Sequence, residues 1–294
     1  MRVIDLYLKM DNKPVISFEF SRPKTEKAAA NLNKAFDALA ATNPDYVSVT
    51  FGAGGSNREG GFELVDHLKN QRNLNTVAYI ASVGIGPEAV VEVLDRFKSI
   101  GIETVFTIRG DAPTWDENYQ PHPDAMPYAS DMLSFIKKRY DFCLGAAGYP
   151  ECHSEATSPE KDMEILKLKV DQGAEYIVAQ YFYDNQYFYD YVDKAKAMGI
   201  KVPIIPGIMP IYTVKMTETL AGLCGTSIVK KVREGLDNLP ADDKNAVLQF
   251  GIDLATEQCR DLIKNGVPGL HFYTMNRAKS VIAILDNLKS EELI

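Results

Sequence analysis

The sequence predicts an α/β fold, a single-domain (β/α)8 or TIM barrel spanning residues 1–294, and three observations lead there. Short apolar, β-branched or aromatic runs recur eight times, each followed by a stretch of helical periodicity. No linker, low-complexity tract or charge block divides the chain. The glycine-rich turn G-x-G-x-x-G expected after the first strand of an open dinucleotide-binding sheet is absent, as is the phosphate loop G-x-x-x-x-G-K-[ST]. A barrel of this kind takes about 250 residues and places its chemistry on the loops at the C-terminal ends of the strands.

The elements follow in order. Residues 1–10 mix apolar Val3, Ile4, Leu6 and Leu8 with charged Arg2, Asp5 and Lys9 and read as an N-terminal helical segment, without the apolar core of a signal peptide. Strands are expected at 15–20, 46–51, 76–82, 104–108, 142–147, 176–181, 202–208 and 270–275. Helices are expected at 25–41, 62–70, 88–99, 129–139, 161–172 and 186–198, then over a longer region at 213–265, and finally at 277–288.

Composition narrows the function classes. A chain that is 46% hydrophobic can bury a large core. A formal net charge of -8 with no Lys/Arg cluster argues against a nucleic-acid partner. No apolar run approaches the roughly 20 residues of a membrane span. Cys143, Cys152, Cys224 and Cys259 form no C-x-x-C pair, so no zinc or iron-sulfur site is expected. They read as reduced thiols of a cytoplasmic protein.

The strand ends carry the chemistry. Arg109-Gly110-Asp111 ends the fourth strand with a cation, a residue free to take positive φ and a carboxylate. Taken alone, that motif is equally a surface pair closing a turn. Glu19, in the alternating run Phe18-Glu19-Phe20, faces opposite to its neighbours and so into the barrel. Desolvation there raises its pKa and makes it a candidate general acid; the competing reading is an interior ion pair. The run from Thr50 to Gly55 holds three glycines and either admits a ligand to the backbone or is only a turn. His153 follows Glu151 by two residues, a spacing that suits a ligand contact or a loop salt bridge. The aromatics between Tyr181 and Tyr191 suit stacking on a flat ring or plain core packing. Trp115 and His122 lie in a polar segment that either covers the site or makes a solvated excursion. A barrel acting on phosphorylated sugars would need a Gly-rich phosphate loop after strand seven, where the chain reads P-G-I-M-P-I instead.

Eight segments together resemble one family. They are S-F-E-F at 17–20, V-S-V-T-F-G-A at 47–53, R-G-D-x-P at 109–113, Y-A-S-D at 128–131, Y-P-E-x-H-x-E-A at 149–156, K-V-D-x-G-A at 169–174, P-G-I-x-P at 206–210 and H-F-Y-T-M-N-R-A at 271–278. In order across nearly the whole chain, they resemble the methylenetetrahydrofolate reductases, flavoprotein barrels of one-carbon metabolism.

The resemblance implies reduction of 5,10-methylenetetrahydrofolate to 5-methyltetrahydrofolate by hydride from reduced flavin N5. It implies Glu19 as the general acid that opens the folate's five-membered ring to an iminium, and Asp111 as the carboxylate that stabilises that cation. It places Phe51, Ala53, Arg109, Gly110, Ala129, Tyr149, His153, Ala156, Asp162 and Lys169 on the flavin, with Tyr79 and Asp111 as further cofactor contacts, Thr50 on the nicotinamide substrate, and Gln180 and Arg277 on the folate, Gln180 also touching the nicotinamide. Tyr79 stands where well-studied bacterial members have a His near the flavin. Ile165 and Leu168 stand where they have polar and cationic cofactor contacts, Met216 replaces a folate-contacting Gln, and Leu220 an aromatic at the flap over the flavin.

FAD is the expected cofactor, with FMN the alternative, and NADH the expected donor, with a partner subunit as the alternative electron source. A homo-oligomer is expected. A non-catalytic folate-binding or scaffold subunit is the competing function.

Overall fold

The computed structural model describes residues 1–9, 13–23, 25–50, 58–112, 118–240 and 243–294. Eight parallel strands close on themselves in sequence order: β1 Val15–Phe20, β2 Tyr46–Val49, β3 Thr76–Ala81, β4 Thr104–Ile108, β5 Cys143–Gly148, β6 Tyr176–Tyr181, β7 Ile204–Ile208 and β8 Gly269–Tyr273. The first is bonded to the last in the register Val15 to Gly269 through Glu19 to Tyr273.

Around them lie α2 Glu26–Ala40, α3 Arg58–Asp66, α4 Pro87–Ser99, α5 Ala129–Lys137, α6 Pro159–Asp171 and α7 Asn185–Ala197. The series continues with α8 Val214–Cys224, α9 Lys230–Asp237, α10 Lys244–Lys264 and α11 Ala278–Ser290. The long region expected at 213–265 is therefore three helices. Thr213 caps α8 by accepting a hydrogen bond from Met216 N, and Gly225, at φ 69°, ends it in the left-handed conformation. The helix expected at 62–70 starts earlier, at Arg58, and passes into a π turn at His67–Gln71.

Strand side chains alternate between two separate cores, as a pleated strand buried on both faces requires. Phe18, Phe20, Val47, Val49, Ile80, Leu144, Leu270 and Phe272 point outward and pack with helix residues such as Phe36, Phe97, Leu133 and Ile284. Tyr46, Val77, Tyr79, Phe106, Cys143, Tyr176, Val178 and Ile205 point inward and fill the barrel. The N-terminal segment does form a helix, α1 Val3–Leu8, and it closes the floor. Val3 and Tyr7, one turn apart, are buried in the interior cluster, and the Tyr7 hydroxyl lies 2.9 Å from that of Tyr46. Val3 N donates to Thr104 Oγ1 at 3.0 Å, and Arg2 grips Glu175 at 2.9 Å.

An interior this rich in rings needs a gap where they converge, and β5 supplies it. A Cβ on Gly145 would meet Tyr176 Cζ at 2.4 Å and Phe106 Cδ2 at 2.5 Å. Gly145→Ala is therefore expected to destabilise the barrel by about 1–3 kcal/mol through overpacking, read as a lower urea midpoint with an unchanged slope.

Candidate active site

The C-terminal ends of β1, β4, β5 and β6 carry Glu19, Arg109, Gly110, Asp111, Tyr149 and Gln180 on one face of the barrel. Glu19 is on β1 and points inward, half-buried, in register with Ser48 of β2 and Tyr273 of β8. Its Oε2 accepts a hydrogen bond from the Tyr79 hydroxyl at 2.7 Å, and its backbone carbonyl accepts one from Thr274 Oγ1 at 2.6 Å. Burial pushes the carboxyl up to about 7, against the smaller lowering effect of the Tyr79 bond. Glu19 makes no ion pair among the described residues, so the competing ion-pair reading finds no partner there. A carboxyl that holds its proton near neutrality is suited to give it away.

At the tip of β4, Gly110 takes φ 76°, and a Cβ there would come within 2.9 Å of Ala81 Cβ. The turn between Arg109 and Asp111 therefore requires glycine, and it leaves Asp111 exposed. Arg109 turns instead to Glu155, pairing through both terminal guanidinium nitrogens, one of them at 2.8 Å. The pair holds Glu155 below the usual carboxylate range.

A cleft of about 550 Å³ runs outward from the ends of β4 and β5 between α5 and α6. Arg109, Ala129, Tyr149, His153, Ala156, Asp162 and Lys169 all line it. Seven predicted cofactor contacts, drawn from four segments of the sequence, thus share one cavity. Asp162 and Lys169 stand two turns apart on the same face of α6. Lys169 Nζ donates to Ala147 O at 2.9 Å and lies 5.3 Å from the centre of the Tyr149 ring. Burial depresses this ammonium to about 8, and the facing Asp162 offsets part of that shift. Tyr149 in turn meets His153 edge-on, ring centres 4.6 Å apart. The outer lip is apolar, formed by Ile165 and Leu168, both more than a third exposed.

The remaining predicted residues stand elsewhere on the rim. Gln180, half-buried on β6, folds its Oε1 back to accept from Tyr181 N at 3.0 Å. Arg277 lies after β8 with its guanidinium 5.1 Å from the centre of the Tyr212 ring. Thr50 follows β2 with its backbone N donating to Phe20 O at 3.0 Å. Tyr79 lies inside the barrel, below the rim. Phe51, Ala53 and Trp115 fall outside the described residues. His122 packs on the turn after β3, its backbone N donating to Gly84 O at 3.2 Å. Of the aromatic run, Phe182 and Phe188 stack in the outer core at 5.4 Å, so that part is packing.

Two site features had no role assigned from the sequence. Glu151 Oε2 accepts a hydrogen bond from Ser227 N at 2.9 Å, and Thr226 Oγ1 donates to Tyr181 O at 3.0 Å. These bonds tie the end of α8 onto the rim and bring Cys224 within electrostatic reach of both Glu19 and Asp111. Asn276, at φ 56°, accepts from Ser21 N at 3.0 Å and donates to Ser21 O at 2.8 Å, joining the exits of β8 and β1.

The described residues hold no cluster of three or more His, Cys, Asp or Glu able to bind a metal ion. The cleft fits a flavin: its volume is that of a cofactor site, its lining includes the small Ala129 and Ala156, and it carries the cations Arg109, Lys161 and Lys169, each facing a carboxylate of the protein, Glu155, Glu164 and Asp162, that an anionic tail would have to displace or share.

Comparison with known proteins places the chain. The sequence model of the family "Methylenetetrahydrofolate reductase" matches residues 5–289. Methylenetetrahydrofolate reductase (NADH) 1 of Zea mays is 35% identical over 98% of this chain, which spans only 51% of that protein. The chain thus covers about half the length of its plant relatives. The 5,10-methylenetetrahydrofolate reductase of Escherichia coli K12 is 31% identical over 93% of this chain and 90% of its own. Among solved structures, an uncharacterized Clostridium thermocellum protein that binds two copies of 5-methyl-5,6,7,8-tetrahydrofolic acid shares the fold, with a TM-score of 0.65 at 17% identity over 98% of each chain. An oxaloacetate acetylhydrolase aligns with a TM-score of 0.53 at 12% identity over 99% of this chain and 86% of its own. With a profile match over nearly its whole length and a relative of similar size more than 30% identical, the chain belongs to the methylenetetrahydrofolate reductase family.

Proposed function

We propose that this protein reduces 5,10-methylenetetrahydrofolate to 5-methyltetrahydrofolate with a bound flavin, in a reaction assisted by Glu19 and Asp111. The observation that carries the reading is Glu19 itself: a barrel-mouth carboxyl without a counter-cation among the described residues, its pKa pushed to about 7. The flavin, when bound, supplies the hydride. FAD is the form we propose, in the cleft lined by Arg109, Ala129, Tyr149, His153, Ala156, Asp162 and Lys169, with Thr50, just after β2, and Gly110 and Asp111, just after β4, as further contacts. FMN would use the same inner cleft, and the mass of the released cofactor decides between them.

Glu19 gives its proton to the nitrogen that leaves the bridging carbon as the folate ring opens, so the cation that remains is the electrophile. Asp111 places a negative charge beside that cation and stabilises it as it forms. Gln180 and Arg277 bind and orient the folate. The relatives named for NADH support NADH as the donor to the same rim; a partner subunit is the alternative source of electrons.

The test is an absorbance spectrum of the purified protein followed by anaerobic titration. A flavin spectrum bleached by NADH and restored by methylenetetrahydrofolate is expected; a colourless protein that cannot be reconstituted with flavin would refute the mechanism. Glu19→Gln should leave bleaching by NADH intact and slow the folate step by about 10²- to 10⁴-fold, whereas equal loss of both steps would remove Glu19 as the acid. In the parent protein the folate step needs Glu19 protonated, so its rate should be full below about pH 7 and fall as the pH rises through that value. Asp111→Asn should slow the folate step by on the order of 10-fold or more, measured in single turnover, without altering the amount of flavin bound.

A further inference from the structure

The carboxyl of Glu19 has two oxygens in different surroundings, and the difference originates 60 residues away on β3. Tyr79 is 5% exposed, and its ring stacks on Phe106 of β4 with centres 4.6 Å apart and planes at 24°. That stack fixes the direction of the hydroxyl, which donates to Glu19 Oε2 at 2.7 Å. Oε1 makes no hydrogen bond among the described residues.

We infer that Tyr79 is a positioning residue for Glu19, holding Oε2 so that the proton to be delivered is carried on Oε1 and receiving the charge left behind once that proton has gone. The inference rests on the reading of Glu19 as the acid. A carboxyl oxygen that already accepts a hydrogen bond is the carbonyl oxygen of the neutral acid, so the proton resides on the other one. When the O–H bond at Oε1 breaks and the folate nitrogen takes the proton, the electron pair stays on the carboxylate. The Tyr79 bond then becomes a hydrogen bond to an anion, shorter and stronger than before.

The other groups that sense Glu19 cannot take this part. Tyr273 faces it from β8, but its hydroxyl donates to Ala179 O at 3.2 Å and burial holds it neutral, well above its ordinary value. Cys224, at the end of α8, is likewise kept as a thiol by burial, and it lies within reach of exposed Asp111 as well. No cation faces the carboxyl from any packed element among the described residues. Among the described residues, Tyr79 is the one group that opposes the cost of burying the charge.

The test uses the purified full chain with Tyr79→Phe and, separately, 3-fluorotyrosine incorporated at position 79, a stronger donor than tyrosine. The Glu19 carboxyl is followed by infrared difference titration, its band identified by its loss in Glu19→Gln. Phenylalanine should raise the midpoint by about one pH unit and fluorotyrosine should lower it. In single-turnover folate reduction the alkaline limb should move with each midpoint, and Tyr79→Phe should reduce kcat several-fold below the limb with KM for the folate changed less than twofold. An unmoved midpoint in both variants overturns the inference, and so does a lower rate with an unmoved limb, which is what a merely structural ring would give. If the midpoints shift while no variant, nor the parent protein, reduces folate, the pairing stands and the proposed function falls.

Discussion

Everything at the mouth of this barrel depends on the register in which β1 meets β8. Strand side chains alternate with a period of two, so a slip of one residue in that seam would carry Glu19 into the helical layer and Phe18 or Phe20 into the barrel. The seam is fixed at both ends. At the floor, Gly269 lets the two backbones approach so closely that a Cβ there would lie 2.4 Å from Val15 O. At the mouth, Asn276 binds Ser21 through both its amide nitrogen and its carbonyl oxygen, and Thr274 donates to the carbonyl of Glu19 itself. Glu19 is thus placed by backbone pairing, and its electrostatics are set by what the neighbouring strands aim at it.

Those neighbours sort the titratable groups into two environments. Inside the barrel the carboxyl of Glu19 stands among rings and hydroxyls, and desolvation raises its pKa toward neutrality. In the cleft between α5 and α6, cations and carboxylates meet: Arg109 with Glu155, and Lys169 with Asp162. The first environment is suited to hold and release a proton, the second to bind a polar molecule through charges of both signs. The tip of β4 separates the two, because Gly110 sends Arg109 toward one and leaves Asp111 on the other side of the turn.

Most of the fold was legible because local chemistry marked it. β1 and β4 begin and end where their apolar runs do, bounded by proline or polar residues, and β6 begins where its run does, after Glu175. β7 begins two residues later than its apolar run, since Pro203 has no N–H to give and contributes only its carbonyl, which accepts from Ile177 N at 2.9 Å. The region 213–265 divides into three helices at Gly225, which ends α8 in the left-handed conformation, and at Pro240, which lies between α9 and α10; both breaks were marked by residue type, but helical spacing alone runs across them. The site was legible as motifs but not as contacts. Arg109, Tyr149, Asp162 and Lys169 could be singled out along the chain, yet nothing local reveals that Tyr79 bonds Glu19 or that Glu151 receives Ser227, since each partner lies 60 or more positions away.

The helix beneath the barrel has a bearing on the acid at its top. With Val3 at 0% and Tyr7 at 4% exposure, α1 stoppers the floor, and the interior above it is filled with rings. Among the described residues the floor beneath Glu19 is therefore closed. Under the proposed function, a ligand over the mouth would cut the carboxyl off from bulk protons, so that it works like a single-shot device: it fires once and is reloaded only after the product leaves. On that reading, counting protons and counting turnovers become the same act, imposed at the far end of the molecule by a helix of six residues.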